Sequence, residues 1–541
     1  MTGHFPIKTR QSSNVLAFVF ACAVVGSFSF AVNWGVARHK APDHVFLGFT
    51  QRDVPLYYAY ARAVFERGNG LLYPNPYEWE RKPDVIYCQL FFVLCGWLWR
   101  LGIPFTALDQ ILRVVCGVGM LLALWRLLGR FLPSRHTRWP AYACLSLCAG
   151  TAWIAALVAT RGSPHGFMDA FIRMEKGYQC FFFVWRQLFL ATECFYHCLS
   201  FYVFWAVARG RFKTAYVLLW LTWWSHPFTG LETGAIAALF LTFALMAPRR
   251  RREDWLRWGA VVGADALWCA YYGPFLNSFE SHKAMMELWM WADLRVFWDE
   301  VAMGQGLWIA LAAPALFFAR FRRWVSRTRP GRLWLAWLMT TAALMSTNRL
   351  PFLKQPSQPI HFDRGYLFVP LVVAAVWSMR LVWGKLRRNV RRLVPVTAAA
   401  VFAITLPDNG FLLWEHLTVS VPKDRVSEIP RADWEVIEWF EKIARPSRVA
   451  VVEALPVGGL DYLLPTFTPH ITALGHLYNT THYKMKRLML KQYWLGESDE
   501  LLRRFDPDYL VQPNDRASPR REGAPLQPVF RNAKWSVFAM R

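Results

Sequence analysis

Residues 14–34 read NVLAFVFACAVVGSFSFAVNW and contain no charged side chain. A bilayer core takes about 20 apolar residues per helical span, so this stretch predicts a membrane helix. It is too long for the core of a cleavable signal peptide and no small-residue cleavage site follows, so we expect a signal anchor. Similar runs recur up to residue 406, for example at 366–382. The sequence therefore predicts an α-helical polytopic membrane protein.

The distribution of charge agrees with this fold class. Hydrophobic residues make up 55% of the 541 residues, charged residues 18%, and the formal net charge is +25. In a soluble protein such a charge would indicate nucleic-acid binding, but here the cations lie in short clusters between apolar runs, as in cytoplasmic loops of membrane proteins. The clusters are at residues 8–10, 126–138, 209–213, 249–252, 320–332 and 385–392. We expect a cytoplasmic N-terminus and no nucleic-acid partner.

Keeping every cluster in the cytoplasm requires an even number of crossings between neighbouring clusters. After a first span at 14–35, the predicted out-and-back pairs are 139–160 with 190–208, 214–226 with 231–247, 256–274 with 304–320, and 332–347 with 366–384. Of the apolar stretches 85–99 and 111–128, we expect the shorter, Trp-rich one to lie in the interface as an amphipathic helix. With a last span near 391–406, the prediction is about 11 spans and an extracytoplasmic C-terminus.

The segment after the last span is more polar. Its residue spacing predicts both helices and strands. The helical stretches are 434–443, 483–493 and 500–505, and the strand-like runs are 448–453, 471–474, 509–512 and 535–540. We therefore expect a small extracytoplasmic α/β domain at 420–541, after a transmembrane domain at 1–415 whose first outer loop is 36–84.

Asp53 is the first candidate for chemistry. It lies in the stretch QRDVPLYYAY at 51–60 of the first outer loop. An acid at the start of a helix keeps its charge readily, because the helix N-terminus favours an anion, and such a carboxylate can take a proton from a hydroxyl nucleophile. The alternative is that Asp53 serves only as the helix N-cap, with Pro55 as an early helical residue.

Two histidines lie at or within apolar stretches. His226 precedes Pro227 at a turn on the outer surface, where it is either a functional residue or part of a simple hairpin breaker. His197 lies four residues after Glu193, hence on the same helical face. Two ligands without a third are weak support for a metal site, so we favour an interhelical hydrogen-bonded pair for these two.

A Pro-rich outer loop carries Arg349 and Lys354, although cations are unexpected on that side of the membrane. The loop continues to His361 and Arg364. A guanidinium suits phosphate binding because its fork of N–H donors matches phosphate oxygens. The alternatives are a local charge balance between Asp363 and Arg364, or contact with lipid headgroups.

The acid in the first outer loop, the amphipathic helices after it, the many spans and the C-terminal domain together resemble the GT-C superfamily of membrane glycosyltransferases, with mannosyltransferase- and aminoarabinose-transferase-like architecture. The resemblance covers nearly the whole chain. Its local motifs are DVPLYY at 53–58 with 68–73, and YLLP at 462–465 with the segments at 474–476 and 483–484. The second acid often adjacent to the first in this superfamily is not adjacent here, so Asp53 acts either alone or with a distant partner such as Glu175 or Glu78.

The resemblance implies transfer of a sugar from a polyprenyl-phosphate carrier to an acceptor hydroxyl on a lipid, glycan or protein, with inversion and with Asp53 as general base. Arg364, with Arg349 or Lys354, would stabilise the departing phosphate. The other implied substrate-binding residues are Tyr57, Glu175, His226 and His361. A divalent metal is possible in this superfamily, although no ligand set in the sequence requires one, and no other cofactor is expected.

Two alternatives remain open. A transporter or flippase of lipid-linked sugars would place its substrate site near the membrane midplane and show internal repeats, whereas here the polar groups gather at one surface and no repeat is visible. An oligosaccharide polymerase or ligase would be expected to have Arg-rich outer loops rather than an acid in the first loop.

Overall fold

A computed structural model gives the fold of the chain. The residues it describes are 8–80, 82–163, 166–171, 184–246, 251–289, 296, 298–347, 358–386, 393–420, 426–453, 459–521 and 524–541. Three predicted substrate-binding residues, Glu175, Arg349 and Lys354, lie outside the described residues, so their roles stay predictions.

Helices dominate the described residues, and each predicted span falls on one or two of them. The helices are α1 Lys8–His39, α2 Asp53–Glu66, α3 Leu90–Arg100, α4 Phe105–Phe131, α5 Arg135–Leu147, α6 Ala152–Ala159, α7 Val184–Gln187, α8 Ala191–Arg209, α9 Phe212–Trp223, α10 Pro227–Leu245, α11 Arg252–Ala270, α12 Glu280–Trp289, α13 Trp298–Ala312, α14 Ala319–Arg327, α15 Arg329–Met345, α16 Phe368–Lys385, α17 Leu393–Thr405, α18 Pro407–Glu415, α19 Arg431–Glu441, α20 Leu460–Phe467, α21 Tyr483–Leu495 and α22 Glu500–Phe505.

Several helices have the length and composition of membrane spans. Five segments qualify singly: Ser12–Arg38, Phe105–Phe131, Pro227–Leu245, Phe368–Lys385 and Pro395–Thr418. The count rises to 7 if each of two bent helix pairs, α5 with α6 and α13 with α14, forms one span. The chain is thus a multi-pass membrane protein, and the total of about 11 spans stays a prediction.

Helix α3 corresponds to the apolar stretch that we expect in the interface. It has 11 residues, which gives a length of about 16 Å, roughly half of the hydrocarbon thickness. Its Trp97 ring packs edge-on against Phe65 of α2, with the ring centroids 4.8 Å apart. The helix is therefore too short to cross the membrane by itself, and it packs beside the helix that begins at Asp53.

The chain divides into two compact units. The first unit comprises Met1–Ala31, Ile111–Cys269 and Asp293–His416, and it holds most of the apolar helices. The second unit comprises Val32–Gln110, Ala270–Ala292 and Leu417–Arg541. The first outer loop and the C-terminal segment, which the sequence analysis places in separate domains, thus belong to one compact unit.

The second unit contains the predicted α/β structure. Its strands are β1 His44–Phe46, β2 Glu428–Pro430, β3 Arg448–Val451, β4 Ile471–Thr472, β5 Tyr509–Pro513, β6 Arg520–Arg521, β7 Ala524–Pro525, β8 Phe530–Arg531 and β9 Trp535–Ala539. The main sheet has the order β4-β3-β5-β9-β8, with β3 parallel to β4 and β5 and the remaining pairs antiparallel. Strand β1 of the first loop pairs with β2 of the C-terminal segment, with Val45 opposite Ile429.

In the first unit, a close contact fixes the break between α5 and α6. The Asp408 carboxylate accepts hydrogen bonds from the backbone N–H groups of Ala152 at 2.9 Å and Trp153 at 2.8 Å, at the start of α6. Just before this point, Gly150 packs on α13 so closely that a Cβ there would lie 2.0 Å from the Gly304 carbonyl oxygen. A side chain at position 150 would therefore force the backbones apart.

We expect Gly150→Ala to lower the free energy of unfolding by about 2 kcal/mol, the usual cost of inserting an atom into a packed interior. Thermal unfolding of the detergent-solubilised protein measures this as a lower midpoint. Gly306→Ala is the matched control on α13, because no heavy atom lies within 4 Å of a Cβ at that position, and its midpoint should stay or rise. Equal midpoints for Gly150→Ala and the unchanged protein would contradict the close contact.

Candidate functional site

Asp53 lies at the start of α2 in the second unit. It is the first helical residue, and Arg52 occupies the N-cap position. The alternative in which Asp53 itself is the N-cap is therefore wrong, because that position belongs to the residue before it. The Asp53 side chain is 36% exposed, and the partial positive charge of the helix N-terminus favours its anionic form.

A histidine from the C-terminal segment contacts this carboxylate. The Nε2 atom of His476 lies 3.0 Å from Asp53 Oδ1, and His476 is only 5% exposed. On the other side of the ring, Asn479 Nδ2 donates to His476 Nδ1 at 2.9 Å, while Asn479 Oδ1 accepts from the Tyr60 hydroxyl at 3.1 Å. Because Tyr60 orients the Asn479 amide, Nδ1 is an acceptor, and the imidazole N–H on Nε2 points to Asp53.

Helix α20 holds the first turn of α2 in place. The Tyr462 hydroxyl donates to the Arg52 carbonyl oxygen and accepts from the backbone N–H of Leu56 at 3.2 Å. One turn further along α20, the Thr466 hydroxyl donates to the Pro55 carbonyl oxygen at 2.9 Å. These contacts fix the backbone that carries Asp53 to the same segment that supplies His476.

Gly475 explains how His476 reaches this position. A Cβ at Gly475 would lie 2.1 Å from Cδ1 of the Tyr77 ring, so only glycine allows the chain to pass this close to the first loop. His476 is a partner of Asp53 that the sequence analysis did not select. The available signal was the Leu474-Gly475-His476 segment, whose resemblance to bacterial GT-C members does not identify the histidine as a partner of Asp53.

Tyr57, also predicted to bind substrate, lies in the same helix as Asp53. Its ring stacks on Phe92 of α3, with centroids 5.3 Å apart and planes 24° apart. The ring of Tyr57 therefore helps to join α2 to α3, and its predicted contact with substrate stays a prediction.

A second polar cluster lies in the first unit and contains Arg364. Arg364 Nη1 donates to Glu193 Oε1 at 2.7 Å and also contacts the Tyr196 hydroxyl. Arg186 contacts the other carboxylate oxygen of Glu193, which is 2% exposed. Two guanidinium groups thus share one buried carboxylate.

The predicted histidines belong to the same cluster. His361 Nδ1 accepts a hydrogen bond from Arg364 Nη2, and the His361 ring stacks on Phe228 with centroids 4.5 Å apart. The His226 ring stacks on Tyr196 at 4.4 Å. The structure therefore brings His226 together with His361 and Arg364, which the sequence selects in a different loop.

Two of the sequence-based interpretations in this region are wrong. Glu193 does not form a side-chain pair with His197, whose Nδ1 instead bonds the Glu193 backbone oxygen at 2.7 Å. A buried carboxylate is stabilised more by two guanidinium groups than by one neutral imidazole. The charge of Arg364 is balanced by Glu193 and not by Asp363. The Asp363 carboxylate instead accepts a hydrogen bond from the Leu367 backbone N–H at 3.4 Å.

Among the described residues, no group of three or more His, Cys, Asp or Glu side chains is arranged to hold a metal ion.

Glu78, one of the two distant acids considered as a partner for Asp53, contacts the Thr481 hydroxyl at 3.5 Å and is 3% exposed. It lies beside Lys486, which is fully buried and donates to Thr481 Oγ1 at 3.0 Å.

Burial governs the ionisation of these two groups. It lowers the pKa of Lys486 to about 7, against the opposing attraction of Glu78. Burial also raises the pKa of Glu78 above its ordinary value, and the charge of Lys486 opposes that rise. Near neutral pH, the second unit therefore contains a lysine that loses its proton far more readily than an exposed one.

We expect the free energy of unfolding to gain a contribution from Lys486 that grows with pH above about 7. The unfolded chain holds the lysine proton up to the ordinary lysine pKa of 10.5, whereas the folded chain releases it at about 7, so the unfolded state binds more protons between these values. The gain should approach about 1.4 kcal/mol per pH unit. Chemical unfolding of the unchanged protein and of Lys486→Met at pH 7, 8 and 9 measures this contribution. The free energy of unfolding of the unchanged protein minus that of the variant should increase with pH. A constant difference would contradict the prediction.

Two solved membrane enzymes have a similar fold. ArnT from Cupriavidus metallidurans bound to undecaprenyl phosphate aligns with a TM-score of 0.50 and 12% identity, over 97% of this chain and 97% of its own. The oligosaccharyltransferase of Archaeoglobus fulgidus in the apo form aligns with a TM-score of 0.52 and 11% identity, over 92% of this chain and 69% of its own. No protein-family profile and no curated protein matches the sequence. The similarity is one of fold, and it covers nearly the whole chain.

Proposed function

We propose that this chain, which has the fold of the GT-C superfamily of membrane glycosyltransferases, transfers a sugar from a polyprenyl-phosphate carrier to an acceptor hydroxyl on the extracytoplasmic face. The observation that carries the proposal is the Asp53 carboxylate, half-exposed at a helix N-terminus and hydrogen-bonded to His476. Undecaprenyl phosphate bound to ArnT, a protein of the same fold, supports a lipid phosphate as the carrier.

In this proposal Asp53 is the general base. It takes the proton of the acceptor hydroxyl while that oxygen attacks the anomeric carbon of the donor. The bond from the anomeric carbon to the phosphate oxygen breaks, its electron pair leaves with the polyprenyl phosphate, and the configuration inverts. His476 is a positioning residue, because its N–H on Oδ1 orients the carboxylate and stabilises its anionic form before the proton arrives.

The departing phosphate needs positive charge. The Arg364 cluster supplies two guanidinium groups, those of Arg364 and Arg186, held against the buried Glu193 carboxylate. Preorganised cations of this kind stabilise charge that develops in a transition state. Arg364, with Arg349 or Lys354, is therefore proposed to bind the phosphate. His226, His361, Tyr57 and Glu175 are proposed to bind substrate, and the basic clusters support a cytoplasmic N-terminus and an extracytoplasmic second unit in a plasma membrane.

Asp53→Asn should lower sugar transfer from lipid-linked donors by about 10²- to 10⁴-fold, the usual contribution of a general base. Radiolabelled or mass-tagged donors in membranes containing the protein provide the assay. Asp43→Asn is the matched control, because Asp43 is an exposed acid of the same loop, and it should retain transfer within about twofold. Transfer by Asp53→Asn at the level of the control would exclude Asp53 as the base. Donor movement across the membrane without consumption of donor would favour a flippase.

His476→Ala should reduce kcat by about tenfold, equivalent to about 1.4 kcal/mol of transition-state stabilisation, with a smaller effect on KM. The acid limb of the kcat profile should move to higher pH, because the Asp53 carboxylate loses a hydrogen bond to its charged form. His476→Gln keeps an N–H donor and should restore part of the rate and of the profile. Equal profiles for the two variants would show that His476 has only a structural role.

A further inference from the structure

A basic cleft in the second unit is not used by the proposed chemistry. It has a volume of 510 Å³ and is lined by Trp79, Glu80, Lys82, Arg448 and Arg504. This volume falls within the range of about 300–1,000 Å³ that is usual for small-molecule sites. Among the described lining residues three are cations and one is a carboxylate, and Arg504 also pairs with Glu500 at 2.9 Å. The excess positive charge that remains favours an anionic ligand.

Packing holds the lining side chains. The Trp79 ring stacks on Phe505 with planes 26° apart, and the ammonium of the buried Lys486 lies 4.7 Å from the Trp79 ring centroid. The Arg448 guanidinium lies over Phe505 at 4.6 Å. These contacts hold the Trp79 ring in the wall of the cleft, and an aromatic side chain there supplies apolar surface against which a sugar ring can pack. Fixed guanidinium groups suit the paired oxygens of a phosphate or carboxylate.

The cleft and the proposed base belong to the same two chain segments. Asn75 Nδ2 donates to the Asn479 carbonyl oxygen at 2.7 Å, and Asn479 is the residue that orients His476. At the other end, Lys486 Nζ lies 3.4 Å from the Tyr77 carbonyl oxygen. Residues 476–486 therefore run along residues 75–79, with His476 and Asp53 at one end and the Trp79 cleft at the other.

We propose that this cleft binds an anionic sugar, one that carries a phosphate or a carboxylate, as part of the acceptor. This assignment rests on the proposed glycosyl transfer and names its acceptor class. The donor is a poorer fit, because none of the five lining residues that the structure describes is aliphatic, as an isoprenoid chain would require. All five lie in the first outer loop or the C-terminal segment. A sugar on Trp79 with its anionic group between Arg448 and Arg504 fits the lining best.

Calorimetric titration of the purified full-length protein in detergent tests the assignment directly. The probes are trigalacturonate for carboxylates, a disaccharide phosphate for phosphate, and maltotriose as the neutral control. We expect at least one anionic probe to bind about tenfold more tightly than maltotriose, and Arg504→Gln and Lys82→Gln each to weaken it about five- to tenfold. Glu80→Gln removes a negative charge that repels the anionic probe, so this variant should bind the probe more tightly.

Arg503→Gln is the matched control, because Arg503 is an exposed neighbour on the same helix that is not among the lining residues. It should bind the probe within about twofold of the unchanged protein. Equal losses for Arg503→Gln and Arg504→Gln would indicate diffuse surface charge and overturn the assignment, as would equal binding of the neutral and anionic probes. Tighter binding of trigalacturonate or of the disaccharide phosphate decides between a carboxylate and a phosphate.

The same titration with Asp53→Asn separates the two proposals. This variant should bind the anionic probe as tightly as the unchanged protein, because Asp53 does not line the cleft. Selective binding in a protein that transfers no sugar would refute the glycosyl transfer and the acceptor role that rests on it. Transfer without selective anion binding would refute the cleft and leave the glycosyltransferase in place.

Discussion

The hydrogen bond between His476 and Asp53 joins residues that are 423 positions apart, and the rest of the second unit is arranged to keep it. Tyr60 and Asn479 set the orientation of the imidazole, while Tyr462 fixes the helical turn that carries the carboxylate. A half-exposed acid at a helix start is common and is by itself weak support for catalysis. The buried histidine, held in one tautomer, distinguishes this acid from an ordinary capping residue.

Most of the fold could be predicted from the sequence. The apolar runs identify the helices because a span needs a fixed length of apolar chain, and short apolar runs such as residues 448–453 identify the strands of the C-terminal segment. The grouping of the first loop with that segment could not be predicted. It depends on β1 pairing with β2 and on glycine-dependent contacts such as Gly475 on Tyr77, and neither leaves a local periodicity.

The residues of the candidate site also fall into those that the sequence could predict and those that it could not. Asp53 could be selected as an acid at a helix start, His226 as a polar break between two apolar stretches, and Arg364 as a cation in a predicted outer loop. Their partners Arg186, Glu193 and His476 could not be predicted, because these partners are close in space but distant along the chain. The burial of Lys486 was also beyond prediction, because a lysine in an amphipathic helix is expected to be solvent-exposed until its surroundings are known.

The pairing of β1 with β2 has a consequence for biosynthesis. A ribosome completes the first loop long before it reaches residues 428–430, yet β1, the start of α2 and the carboxylate of Asp53 all find their partners in the last quarter of the chain. The first loop therefore lacks these partners while several later spans are inserted into the membrane. The hydrogen bond between Asp53 and His476 therefore cannot form until residue 476 has been synthesised, when all of the candidate spans have already left the ribosome.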